Sequence, residues 1–313
     1  MAGLTAASSI ADALKTQAMS GVSEAIFRNQ EVMGRFTRVP FTGGANLNVK
    51  LNYGGNTSVA TYSEGDAAGV PGSQSYLTAN FGAQYYKMGI QITGHARDQL
   101  RNGSPGAAFY NQIELEFTSG MKDLTDKIST DMLGTGLTPP VGIQGIVDSS
   151  GTLGGIAPGT YTWWAAYEAA GAATTIAISD LDGATQNSRD AEYAADITEI
   201  WVSWKQQNKL KGVIGNPGVA NNSVQIQTGQ NINLTGTSQP ITYDGLPIIP
   251  IRDLTNSIVL GLSMPELFLG VMRDYQVDPL GKTDDSDKFL VTCAFGLGTK
   301  NRKKHWKITT LTA

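Results

Sequence analysis

A mixed α+β fold is predicted by three features of this 313-residue sequence. Two segments alternate apolar and polar side chains with the period of a strand, and they are followed by a long stretch with the three-to-four spacing of a helix. A central region then mixes short helical patterns with apolar strand runs, and residues 258–313 return to strands.

The elements follow in order. Residues 5–36 read as a helical arm, because Ile10, Leu14, Val22, Ile26, Val32, Met33 and Phe36 recur at helical spacing, with a break at Gly21 and an end at Pro40. Its apolar stripe implies docking on another domain or subunit, with an ordinary N-terminal helix as the equal alternative. Leu47, Val49, Leu51 and Tyr53 then alternate with Asn46, Asn48, Lys50 and Asn52. Downstream, Tyr86, Met88, Ile90 and Ile92 alternate with Lys87, Gly89, Gln91 and Thr93. The intervening residues 54–75 are rich in Gly, Ser, Ala and Thr. A long two-stranded hairpin with a soft tip is expected, stabilised by lying on a neighbour, since an isolated hairpin is marginal in water.

The strongest helix is predicted over 105–133: Pro105 suits a first turn, and Tyr110, Ile113, Phe117, Met121, Leu124, Ile128 and Met132 form one stripe. It would span roughly 40 Å. Asp123 precedes Lys127 by one turn in the favourable order. Glu114 and Glu116 diverge around the helix and make a poor acid/base pair. The run GTGLTPPVG at 134–142 marks a boundary, after which 143–257 reads as a mixed α/β unit. Within it Trp163, Trp164 and Tyr167 precede Gly171, and Ser179 or Asp180 is the expected N-cap of a short helix. Residues Ile197 to Val202 are a buried strand, KQQNKLKGVIG is a helix, and 216–240 is a loop or frayed hairpin. The run 243–254, with Pro247 and Pro250, suits an edge or bent strand. Beyond it SIVLGL, LFLGVM, FLVTCAFGL and HWKITTL read as strands, the last two closing a hairpin around GTKNRKK.

Composition excludes several classes. Charged residues are 16% of the chain against roughly 25% in an ordinary soluble domain, and Gly occupies 37 positions. The net charge of -4 argues against a general nucleic-acid coat held by phosphate neutralisation. With Cys293 the single cysteine, neither an intrachain disulfide nor a multi-cysteine zinc site can form. No apolar run approaches the roughly 18 residues of a membrane span, and the N-terminus lacks a secretory pattern, so a soluble protein made and used in a cytoplasm is expected. The glycosylation-type triplets at Asn56, Asn222 and Asn233 are read as chance.

Catalytic chemistry is scarce. His95 and His305 are the only histidines, both beside strand ends, and structural or solvent roles suit them. GLSMP at 261–265 fails as a nucleophile elbow, and LGKT at 280–283 carries Gln276 where the first glycine of a phosphate loop belongs. GTGLTP and GLGTKN lack the third glycine of a dinucleotide fingerprint. No catalytic, cofactor-binding or metal residue is assigned. Two charge clusters stand out: Asp284, Asp285 and Asp287, and a basic run with Lys300, Arg302, Lys303, Lys304 and Lys307. The acidic cluster lacks the glycine and distant glutamate of a calcium loop. It is either a solvated turn or a complement to the basic cluster of a neighbouring subunit. The second reading makes Asp284, Asp285, Asp287, Arg302, Lys303 and Lys304 candidate inter-subunit contacts. Trp306 beside the basic run suits nucleic-acid stacking or, more commonly for one aromatic in a strand, the core.

The order of parts resembles the major capsid protein of tailed bacteriophages, the Hong Kong 97-like fold. The texts that carry the likeness are FYNQIELEFTSGMKDLTDKISTDML as a spine helix, GIQGI with TYTWWAAYEAA and ITEIWVSW as entry to an axial domain, YDGLPIIPI as its exit, and FLVTCAFGLGTKNRKKHWKITTL as final strands. The resemblance implies an N-terminal arm at 1–38, an extended loop at 39–92, a peripheral domain of 93–137 plus 258–313, and an axial domain at 138–257. It further implies self-assembly into hexamers and pentamers of an icosahedral phage head enclosing double-stranded DNA, with no enzymatic activity and no cofactor. Implied partners are a portal and decoration proteins, with residence in the virion after assembly in the host cytoplasm. Because the spine helix starts near residue 105, a separate scaffolding protein is expected rather than an N-terminal scaffolding segment. Lys50 is the only lysine between 39 and 86 and lies in a strand, so no loop cross-link is expected. The competing classes are another phage or surface structural protein that binds glycans through Trp and Asn-rich loops, and a carboxylate-dependent hydrolase.

Overall fold

The computed structural model describes residues 32–65, 69, 71–95, 107–170, 176–190, 196–214, 241–281 and 284–312. Its strands and helices, in chain order, are β1 (Thr37–Pro40), β2 (Asn46–Gly54), β3 (Ser75–Gly82), β4 (Gln84–Thr93), α1 (Ala107–Met132), α2 (Ile143–Ile146), β5 (Tyr167–Ala170), α3 (Ile178–Arg189), β6 (Glu199–Val202), α4 (Trp204–Ile214), β7 (Ile241–Tyr243), β8 (Leu246–Pro250), β9 (Val259–Leu262), β10 (Leu267–Leu280), β11 (Ser286–Thr299) and β12 (Trp306–Thr309). Several sequence readings lie outside the described residues: most of the arm, Pro105, the triplets at Asn222 and Asn233, the tract 216–240, and Lys282 and Thr283. Of the arm's stripe, Val32, Met33 and Phe36 are described and buried.

Contacts group the chain into two units, one of residues 1–50, 78–143 and 268–298, the other of 51–77, 144–267 and 299–313. The first unit is a sheet with strand order β1-β10-β11-β4. β1 runs parallel to β10, and β11 pairs antiparallel with β4 from Ser286↔Thr93 to Phe295↔Gln84. Alternation explains how α1 is seated. Residues 85, 87, 89 and 91 of β4 are exposed, whereas Ile90 and Ile92 are buried. Phe117, Met121, Leu124, Ile128 and Met132 form the buried stripe of α1, with Phe117 5.8 Å from Phe289. The predicted helix and its period are therefore present.

The pairing of the first hairpin differs from expectation. β2 pairs with β3, not with β4. Gly54 lies against Ser75 and Asn46 against Gly82, so the two strands are antiparallel. Both alternating runs were capable of pairing, but Ser75–Gly82 carries its own alternation, with Ala79 and Phe81 buried, and claims β2 first. Only Ala83 separates β3 from β4. The chain changes sheets there because Gly296 lets β11 approach: a Cβ on Gly296 would lie 2.4 Å from the Gly82 carbonyl oxygen.

The second unit holds a six-stranded sheet of order β5-β12-β9-β6-β8-β7. Its core gathers Leu181 and Ala184 of α3, Leu210 of α4, and Ile200, Val202, Ile248, Val259, Trp306 and Ile308 of the strands. β12 is the last strand in sequence yet lies inside the sheet, parallel to β5 and antiparallel to β9. β11 and β12 thus belong to different sheets, and the closing hairpin expected around GTKNRKK does not form. The run 243–254 is also re-read. Asp244 and Gly245 have φ of 49° and 76°, the left-handed pair of a tight hairpin turn, and they join β7 to β8. β8 is therefore not an edge strand; it lies between β6 and β7. The short helix begins at Ile178, and Asp180 acts from its third position, accepting the Ala177 N–H at 3.0 Å, rather than as the N-cap.

Trp306 is directly opposite Gly261, where an added Cβ would fall 2.0 Å from the indole ring. Gly261→Ala is expected to cost about 1–3 kcal/mol, because both backbones are fixed by the ladder. Gly89→Ala, which meets open space, is expected within about 0.5 kcal/mol of the parent. Urea-denaturation midpoints check both.

Candidate assembly site

The basic run was the strongest sequence candidate for contact with another subunit, and the second unit keeps most of it inside. After β11 the chain makes a single turn of 3-10 helix at Arg302–Lys304 before entering β12. Asn301 caps this turn by accepting the Lys303 N–H at 3.1 Å. Arg302 is fully buried and its guanidinium donates to four backbone carbonyls: Ile146 from Nε at 2.8 Å, Gly151 from Nη1 at 2.9 Å, and Gly145 and Ser150 from Nη2 at 3.0 and 2.8 Å. Gly145 and Ile146 end α2, where carbonyls have no intrahelical partner, so the guanidinium works as a C-terminal cap. Burial pushes Arg302 down to about 10, opposed by Asp148 and Glu168, and it stays charged at neutral pH.

The neighbouring cations are similarly engaged. Lys304 pairs with Glu266 at 2.6 Å. Lys307 stands in register with Glu168 across β12 and β5, 3.4 Å from that carboxylate and 3.6 Å from Asp148. Desolvation pulls Asp148 upward, but hydrogen bonds from Ser150, then Lys307 and Arg302, outweigh it, and the net shift is downward. Arg302 and Lys304 thus have hydrogen-bond and ion-pair partners in their own chain. The physical reason is the strand that follows them: β12 enters the middle of a sheet, where charges need local acceptors. Lys303 is also buried.

His305 completes this corner. Its Nδ1 accepts the Ser263 N–H at 3.2 Å, so the proton sits on Nε2, which bonds Thr299 Oγ1 at 3.1 Å. Burial, with Lys304 nearby, pushes the ring down to about 3. The other histidine, His95, is exposed. Trp306 is wholly buried in the core.

The acidic turn belongs to the first unit. Asp284, half exposed, accepts from Lys288 Nζ at 3.0 Å and from the Ser286 hydroxyl, and the Ser286 bond, then Lys288, lowers its pKa. The Asp285 carbonyl accepts the Gly94 N–H at 2.6 Å. A Cβ on Gly94 would lie 1.9 Å from the Asp285 carboxylate, so the side chain of Asp285 packs directly over this glycine. Asp287 stands opposite Ile92 in the ladder. Among the described residues no group of three His, Cys, Asp or Glu is placed to hold a metal, and no helix is long and apolar enough to cross a membrane. A cleft of about 700 Å³ in the first unit is lined by Tyr86, Met88, Gly120, Asp123, Lys127 and Asp131.

Among the described residues, the most exposed large apolar side chains lie on the β2–β3 extension and its connecting loop. Val59 and Tyr62 are each 84% exposed and Tyr76 is 62% exposed. Asn56 braces the tip, donating to the Gly72 carbonyl at 3.1 Å and accepting from the Ser58 N–H and hydroxyl. No charge motif marks this surface; the signal was the poverty of anchoring side chains in 54–75. The acidic partners Asp148, Glu168 and Glu266 carry no local motif, and sequence reasoning missed them.

A sheet-and-helix unit, an α/β unit closed by its own last strand, and an exposed two-stranded extension are the parts of the Hong Kong 97-like fold. Residues 107–312 match the model of the SU10 major capsid protein family. The chain belongs to this family, and it is a phage major capsid protein. Among solved structures, it is similar to a chain of the cyanophage A-1(L) capsid asymmetric unit, with a TM-score of 0.68 and 14% identity over 90% of this chain and 93% of that one. The capsid of a native GTA particle gives a TM-score of 0.61 at 12% identity, covering 92% and 90%. The SrpI encapsulin of Synechococcus elongatus gives 0.56 at 12% identity, covering 88% and 85%. No curated protein matches.

Two outcomes test this chemistry. Arg302→Met is expected to lose at least about 3 kcal/mol, since it strands several buried carbonyls, and Arg302→Lys should recover only part; chemical denaturation reads both. His305 has a folded pKa near 3 and an unfolded one near 6.5, so the unfolded chain binds the extra proton between them. This stabilisation is complete above about pH 6.5 and is lost as pH falls toward 3. His305→Gln should flatten the loss of stability between about pH 6 and pH 4 by roughly 1 kcal/mol per pH unit, measured as the difference between the two denaturation series.

Proposed function

We propose that this capsid protein assembles as hexamers and pentamers into a closed icosahedral head around double-stranded DNA. The single observation that carries the reading is the extension: Val59, Tyr62 and Tyr76 are presented to solvent, which suits a surface that a neighbouring copy covers. The DNA is held without sequence-specific contacts, in keeping with the net charge of -4. In this reading 39–92 serves as the extended loop, 1–38 as the arm, 93–137 plus 258–313 as the peripheral domain, and 138–257 as the axial domain; the second unit groups most of that axial stretch, 144–257, together with 51–77, 258–267 and 299–313. Assembly takes place in a host cytoplasm with a separate scaffolding protein, a portal and decoration proteins, and the role is structural rather than catalytic.

Asp284, Asp285 and Asp287 are proposed as an inter-subunit contact that meets cations of a neighbour. Electron microscopy of the full chain expressed with its neighbouring genes should show shells or rings, whereas a strictly monomeric species at every salt and concentration would contradict the reading. Removing 57–71 should leave the unfolding free energy within about 0.5 kcal/mol of the parent while lowering particle yield, because the described residues of this stretch are all exposed. D284N/D287N should weaken assembly and reduce its salt dependence without unfolding the chain, as followed by light scattering.

A further inference from the structure

Within the second unit, the outer part of the extension meets residues 161–164 through a column of aromatic rings. Tyr53 is the last large side chain of β2 before Gly54 and Gly55. Its ring stacks on Trp163 at 5.4 Å with 4° between the planes. Tyr161 meets both rings edge-on, each at 5.9 Å. Trp163 in turn meets Trp164 edge-on at 5.7 Å. Trp164 is fully buried and its indole N–H donates to the Leu153 carbonyl at 3.1 Å, so the column is rooted in the core. Outward from Tyr53, the large side chains Val59, Tyr62 and Tyr76 are exposed.

Three features make this column reversible rather than permanent. Tyr53 is 43% exposed, so water competes for its free face. Trp163 Nε1 is buried without an acceptor among the described residues, and it gains one when the ring is wetted. Gly55, directly beyond, has open space around it and leaves the backbone free to turn.

We propose that the Tyr53–Trp163 stack is a latch within the second unit: closed, it fixes the direction in which residues 54–76 project beyond Tyr53, and open, it lets the same segment meet differently placed neighbouring copies. The second half rests on the shell reading above. Stacking of this kind is strong enough to bias a direction and weak enough to yield to a protein interface.

The test uses the full chain with Tyr53→Ala and, as the conservative control, Tyr53→Phe. Hydrogen exchange is followed in the dissociated chain over 54–76 and, for comparison, 196–214, and particle diameters are measured by electron microscopy. The latch predicts that Tyr53→Ala accelerates exchange over 54–76 roughly fivefold without altering 196–214, and broadens the diameter distribution. Tyr53→Phe should match the parent in both. Unchanged exchange over 54–76 in Tyr53→Ala, equal effects of the two variants, or an unchanged diameter distribution would overturn the latch. A parent chain that never forms particles would instead refute the shell reading, while exchange would still report whether the stack holds the extension.

Discussion

A buried guanidinium hydrogen-bonded to four carbonyls is the constraint on which the second unit depends. Arg302 reaches the end of α2 and the loop at 150–151, some 150 residues earlier in the chain. That clasp delivers β12 to its slot between β5 and β9, where Trp306 and Ile308 join the core. Without it the sheet would lack an interior strand, and β5 would lose its ladder partner. A buried charge is tolerated there because Nε, Nη1 and Nη2 each meet backbone carbonyls and because Asp148 and Glu168 lie close by. His305, neutral and bonded through both ring nitrogens, fixes the same corner from the other side of the turn.

This use of charge shapes what remains for assembly. A chain with only 16% charged residues places several of its cations inside, so its outward character is set by Asn, Ser, Gly and exposed tyrosines. The extension shows the consequence most plainly: one face of β2 and β3 carries half-buried or buried apolar residues, the other carries Asn48, Lys50, Asn52, Thr78 and Asn80. Residues beyond Gly54 add exposed apolar groups but little packing of their own. In a shell subunit, such a segment contributes stability after it is covered, and its small residues let the backbone adapt to the cover.

Legibility of the fold followed the range of the interactions. α1 was readable because its apolar stripe is local, and the members from Phe117 to Met132 are buried. β2 and β4 were readable as strands for the same reason, yet their partners were not, because alternation identifies a face and says nothing about which strand lies alongside. β3 escaped notice: Ala79 and Thr78 dilute the alternation that Leu77 and Phe81 maintain. The Asp244–Gly245 turn carried a recognisable dipeptide, and the flanking prolines drew the reading away from it. The basic run was the least legible feature. Lys300, Arg302, Lys303, Lys304 and Lys307 look like one exposed patch in sequence, and only the distant placement of Asp148, Glu168, Glu266 and the α2 carbonyls makes most of them internal.

The central claim is that the extension is an assembly surface, exposed in the free chain and covered in the shell. Hydroxyl-radical footprinting of Tyr62 and Tyr76, compared between the dissociated chain and purified particles, measures this directly. The expected result is strong protection of both tyrosines on assembly with Trp164 unreactive throughout. Equal reactivity of Tyr62 and Tyr76 in the two states would contradict it.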